Sequence, residues 1–159
     1  MNVVDMPVHT YVSGQKEVGM RDSVTGILSR SPSTTVCALA AHALTMISDP
    51  SVVVLSGPKV AMVQLRIQES VADTVFNGGE VLVTETRLEL NGVFGFGMVI
   101  GDQPEYATAL AVLDALGRID GPHRAYMTDA VADLARALTT KHQSEFAASN
   151  STKVAFDTF

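Results

Sequence analysis

Four histidines, one cysteine and a short acidic stripe are the residues of this 159-residue chain whose types could do chemistry. His9, His42, His123 and His142 stand far apart, with no His-x-x-x-His pair to present two metal ligands on one helix face. Cys37 is single, so it can form neither an internal disulfide nor a cysteine-clustered zinc site. Its neighbours Ala38, Leu39, Ala40 and Ala41 read it as a small buried hydrophobe rather than a reactive thiol. Gly92, Gly95, Gly97 and Gly101 have the density of a phosphate loop, but they lie in and around an alternating run, and no Gly-Lys-Ser/Thr follows. Neither a Gly-x-Ser-x-Gly nor a Cys–His grouping supplies a nucleophile with its base. Glu80, Glu85 and Glu89 with Arg87 form a charged stripe, either a solvated strand face or a polar interface to another subunit. The residues alone assign no catalytic position and no metal site.

Composition narrows the classes. Hydrophobic residues make up 47% of the chain and charged ones 18%, enough apolar material for one domain with a buried core. A formal net charge of −6 argues against a nucleic-acid groove and against a polybasic membrane patch. The chain opens on no basic, then apolar, leader and contains no run of 18 apolar residues, so a soluble cytoplasmic protein is expected.

The elements that would position these residues follow from periodicity. Residues 1–20, with Pro7, Gly14 and Gly19, read as a loosely tethered arm before a single domain over 21–159. A short helix is expected over Arg21–Ser29, with Val24, Ile27 and Leu28 on one face, ending before Ser31-Pro32. A second helix carries Val36, Leu39, Ala40, Ala43, Leu44 and Ile47 and stops at Asp49-Pro50. Val52–Leu55 reads as a strand buried on both faces, Ser56-Gly57-Pro58-Lys59 as a turn, and Val60–Gln68 as an alternating second strand. Gly78 and Gly79 suggest another turn before a strand over Val81–Leu90. Asn91-Gly92 then makes a two-residue hairpin into Val93–Ile100, because both positions of a type I′ turn need positive φ. Gly95 and Gly97 on one face of that last strand leave room for close approach by a helix, a ligand or another backbone. Pro104 opens a helix that buries Tyr106, Leu110, Leu113 and Leu116 and stops at Gly117. A last helix over Met127–Ala147 places Val131, Leu134, Leu138 and Phe146 inside, and a tail with alternating Val154 and Phe156 follows. The expectation is an α+β domain: a four-stranded antiparallel meander with helices before and after it packed on one face.

Several of these segments carry a family pattern. Phe76-Asn77-x-Gly79-Glu80-Val81-x-Val83-Thr84 resembles the hallmark of the PhnG family, the G subunit of the bacterial carbon–phosphorus lyase system. The resemblance continues through Gly95-x-x-x-Val99-x-Gly101 and Leu113-Asp114-Ala115-Leu116 to Lys153-Val154-x-Phe156-x-Thr158, where Lys153 stands in place of the family's arginine. It spans residues 21–159 and marks Asn77, Gly79, Glu80, Thr84, Gly101 and Lys153 as the family-motif set, with Glu80 the foremost candidate for contacting another subunit or a ligand.

The resemblance implies a small subunit that assembles with H-, I- and J-type subunits and is compatible with a homo-oligomer. In such an assembly an alkylphosphonate attacks the ribose C1 of ATP, adenine leaves, and α-D-ribose 1-methylphosphonate 5-triphosphate forms. MgATP is then a substrate of the complex; no cofactor of this chain's own is implied, and the isolated chain is expected to be inactive. The chain departs from the family where Thr84-Glu85 replaces the usual Thr-Arg. It departs again over Asp102–Thr108, where basic residues and a histidine are missing and Tyr106 takes the histidine's place. A non-enzymatic interaction or scaffold protein without a phosphonate role is the alternative expectation.

Overall fold

The described residues of the computed structural model are 23–69 and 73–151. Alternation, turn chemistry and helical spacing there produce α1 (Val24–Leu28), α2 (Ser33–Thr45), β1 (Val52–Gln68), β2 (Val75–Leu90), β3 (Val93–Ile100), α3 (Pro104–Leu116) and α4 (His123–Ser151). The strands form one antiparallel sheet in the order β1-β2-β3. The α+β class therefore stands, but among the described residues the sheet has three strands and not four.

The merged strand has a local cause. Ser56-Gly57-Pro58-Lys59 does not reverse the chain. It is absorbed as extra residues where β1 runs past β2: Val54 faces Leu88, Ser56 faces Arg87 and Lys59 faces Glu85. Gly57 has φ +84, and a Cβ there would strike the Glu85 carbonyl, so glycine allows the two backbones to close up at the bulge. Gly and Pro mark bulges as well as turns. Gly78 is likewise no turn residue; it is the extra residue of β2 where Leu65 faces Gly79 and Arg66 faces Asn77. Val52–Leu55 is also corrected: β1 is an edge strand, and all four of these residues are exposed rather than buried on both faces.

The Asn91-Gly92 turn forms as its chemistry requires, with φ of 50° and 77°, and Asn91 Oδ1 accepts from the Ser51 N–H at 2.7 Å. On the core face of the hairpin Thr84, Thr86, Leu88 and Leu90 stand opposite Val99, Gly97, Gly95 and Val93. The two glycines form a trough into which α3 settles; a Cβ at Gly95 would strike the Ala111 carbonyl, and one at Gly97 the Ala107 carbonyl. With the sheet on one side and α2 on another, α3 is buried nearly all round, from Tyr106 and Ala107 to Ala115 and Leu116. Helices α1 and α4 pack against α2 and α3 beyond it, so the layers run sheet, α3, outer helices.

Helix α4 begins four residues before the expected Met127. His123, 1% exposed, is its first residue, and its Nε2–H is shared between the Leu116 and Ile119 carbonyls that α3 leaves behind. Met127, Val131 and Leu134 join the core, but Phe146 is 68% exposed, because none of the described elements packs against the C-terminal half of α4. The expected arm 1–20, Arg21 and the tail with Val154 and Phe156 lie outside the described residues.

Tyr106 is a structural clamp. Its hydroxyl proton is shared between Leu28 O (2.5 Å) and Ser31 O (3.0 Å), which fixes the α1–α2 link onto α3. Burial, and secondarily the neighbouring Cys37 thiol, hold the Tyr106 phenol above its ordinary value. The unfolded chain thus releases this proton at lower pH than the native one. The stabilisation is complete below about pH 10 and is lost as pH climbs through the raised native value. Tyr106→Phe is expected to cost about 1–3 kcal/mol at neutral pH through the two abandoned carbonyls. It should also flatten the alkaline decline of stability, which urea midpoints measured from neutral pH to about 11 would reveal.

Candidate functional site

The sheet divides at a single joint. Strand β3 stops at Ile100, opposite Val83, and α3 starts three residues after Gly101. Thr84, 1% exposed, donates its hydroxyl to Gly101 O at 2.6 Å and accepts the Gln103 N–H at 2.9 Å. Gln103 Nε2 donates back to Ile100 O, and the Gly101 N–H reaches Leu82 O at 2.8 Å. Gly101 can turn the chain here because it sits at φ +87, where a side chain would be strained.

Past that joint only β1 and β2 continue among the described residues, as a two-stranded ribbon over Met62–Gln68 and Val75–Leu82. Its open end is held by the Glu69 N–H to Thr74 O at 2.9 Å. Both faces of the ribbon carry apolar residues in solvent: Met62, Leu65, Ile67, Val75, Phe76 and Leu82 are all exposed. A two-stranded ribbon is marginal in water by itself, and a concentration of exposed apolar side chains on it marks a surface that meets another molecule.

The family-motif residues fall into two groups. Asn77, opposite Arg66, and Glu80, opposite Gln64, lie on the ribbon with Gly79. Gly79 has φ +129, and nothing lies within 4 Å of where its Cβ would be, so backbone conformation rather than space calls for glycine there. Thr84 and Gly101 form the joint, about 13 Å along the strand from Glu80. Lys153 lies outside the described residues. The structure thus brings Thr84 to Gly101 and sets both apart from the ribbon group.

The charged stripe is more organised than a solvated face. Glu85, with only 15% of its side chain exposed, lies between Lys59 Nζ (3.1 Å) and Arg87 Nη2 (3.3 Å). The Arg87 guanidinium also sits over the Phe96 ring, 5.6 Å from its centre. Glu85 is therefore neutralised within the chain. The sequence does not point to Lys59 as its partner, since Ser56–Lys59 has the composition of a turn; only the β1–β2 register places the two side by side. Around this triad Val53, Leu55, Phe94, Met98 and Ile100 are exposed.

The helical side offers little chemistry. A groove of about 490 Å³ between α2 and α3 is lined by Cys37, Ala40, Leu44, Pro58, Thr108 and Val112 among others. A second cleft beside it, about 560 Å³, is lined by Ser33, Thr34, Gln103 and the acidic Asp102 and Glu105, whose charge repels a phosphate. Burial and then Glu105 push the Cys37 thiol up, which keeps it protonated and poorly nucleophilic at neutral pH. Among the described residues no three His, Cys, Asp or Glu side chains gather as a metal site, and no helix is long and apolar enough to cross a membrane.

Residues 19–159 match the family model described as phosphonate metabolism protein PhnG. No curated protein matches the chain.

Proposed function

The chain belongs to the PhnG family of phosphonate metabolism proteins, and from that membership we propose that it is the G subunit of a cytoplasmic carbon–phosphorus lyase core complex. In this role it supports the transfer of the ribose triphosphate of MgATP to an alkylphosphonate by assembling with H-, I- and J-type subunits. The observation that carries the reading is the ribbon: the family-motif residues Asn77, Gly79 and Glu80 lie on a two-stranded element whose apolar side chains are exposed on both faces. Proteins that expose such surface generally cover it with a partner. Glu80 and Asn77 then supply polar contacts to a partner subunit, Thr84 and Gly101 hold the root of the ribbon, and Lys153 acts from the tail. The chemistry belongs to the partners. This chain contributes position and rigidity, which alone can set the geometry of reacting groups.

Incubated alone with MgATP and methylphosphonate, the chain is expected to release no adenine. The same chain added to its H- and I-type partners and their ATPase-like companion should restore adenine release that those proteins lack without it. Adenine from the isolated chain, or no dependence of the mixture on it, would remove this reading.

A further inference from the structure

The two edges of the sheet are treated differently. Along β3 the outward N–H of Phe96 donates to Asp114 Oδ2 at 2.9 Å, and the Phe94 carbonyl accepts from Arg118 Nη1 at 2.6 Å. Arg118 is itself paired with Asp114, so a latch from α3 and the turn after it closes that edge. On β1 the stretch beside the body is broken by Pro58, which has no N–H, and by register irregularities on both sides of Ser56. Between Val60 and Leu65 neither device is present: the pairing with β2 is regular, and Val60-Ala61-Met62-Val63-Gln64-Leu65 carries no charge and no proline. An uncharged edge of high strand propensity is a template for another strand.

Building on the reading of the chain as a subunit, we propose that Val60–Leu65 of β1 is a strand-addition site for a partner subunit, and that the added strand carries a carboxylate facing Arg66. Two observations select this occupant. Pairing two copies antiparallel over the whole stretch would set Lys59 of each across from Arg66 of the other, a like-charge contact that opposes self-association. Lys59 is already neutralised by Glu85, whereas Arg66 has no carboxylate within ion-pair distance among the described residues. An uncharged strand with an acidic residue at its end satisfies both the apolar edge and that guanidinium, with main-chain hydrogen bonds giving affinity and alternate side chains giving selectivity.

The test uses the full chain co-expressed with its H-, I- and J-type subunits. Met62→Lys and Arg66→Glu alter exposed side chains, and each is expected to weaken assembly by about tenfold or more, whereas Arg66→Lys stays close to wild type. The urea midpoints of the lone variants should match the wild type. In the wild-type complex the amides of Val60–Leu65 that point away from β2 should exchange far more slowly than in the lone chain. Variants that assemble like wild type, or amides that stay unprotected in the complex, overturn the strand addition and leave the subunit assignment standing. A lone chain that dimerises at micromolar concentration, and that Met62→Lys returns to monomer, assigns the edge to a second copy and overturns it as well. A wild-type chain that captures none of the three subunits overturns the subunit assignment and this inference with it.

Discussion

Gly97→Val is expected to leave the chain without a stable native state. A Cβ at position 97 would strike the Ala107 carbonyl and press on the Ala111 nitrogen and Leu110 Cβ, and the first two of these are backbone atoms of α3. No rotamer of a neighbouring side chain relieves that contact, so α3 must lift from the sheet. Overpacking that forces backbone shifts costs about 1–3 kcal/mol and sometimes more. Here the displaced helix also carries much of the core, including Leu110, Leu113 and Leu116. The loss is therefore placed at or above the top of that range, a large part of the about 5–15 kcal/mol that holds a domain together. Urea unfolding followed by circular dichroism measures it. Gly117→Ala is the control: Gly117 lies at φ −61 with its nearest contact at 3.4 Å, so alanine should be neutral or mildly stabilising. A folded Gly97→Val protein with an unchanged midpoint would show that α3 does not sit in the glycine trough.

That trough was legible in the sequence because alternation puts Gly95 and Gly97 on one face, although which body would enter the space was not. The Asn91-Gly92 turn was legible for a stronger reason: few residue pairs tolerate two successive positive φ angles. The continuity of β1 was not legible, since Gly57-Pro58 has the composition of a turn and only the length of β2 keeps the chain extended. The exposure of Val52–Leu55 was hidden for a related reason. Apolar character says that a strand is meant to be covered, but not whether its own helices cover it. The Glu85–Lys59 pair depends on register across the whole hairpin. Tyr106, read from the family pattern as a missing histidine, is buried and bonded to Leu28 and Ser31, and no local pattern announces a contact across so many residues. Asn77, Gly79, Glu80 and Thr84 stand within eight residues of one another in the sequence. Their separation into a ribbon group and a joint required knowledge of where β3 ends.

Because Thr84 is where the body ends and the ribbon begins, Thr84→Val should have both a global and a local signature. Valine keeps the shape of threonine but neither donates to Gly101 O nor accepts the Gln103 N–H, and with the position 1% exposed, water reaches these groups poorly. Each buried group left unsatisfied costs about 1–3 kcal/mol, so the combined loss in urea unfolding should exceed that of a typical surface substitution severalfold. Thr84→Ser retains the hydroxyl and should recover most of it. The local signature is the more specific one. Gly101 donates its N–H to Leu82 O at the root of the ribbon, and once the Thr84 hydroxyl no longer holds the Gly101 carbonyl, that amide should exchange faster than global unfolding explains. Unchanged Gly101 protection alongside lowered global stability would mean that Thr84 only fills core volume. Faster exchange confined to Leu82, Ile100 and Gly101 would mean that it sets the angle at which the ribbon leaves the body. In the second case assembly with the partner subunits should weaken in Thr84→Val even at temperatures where the body is fully folded, because a ribbon free to swing must be ordered again at the moment of docking.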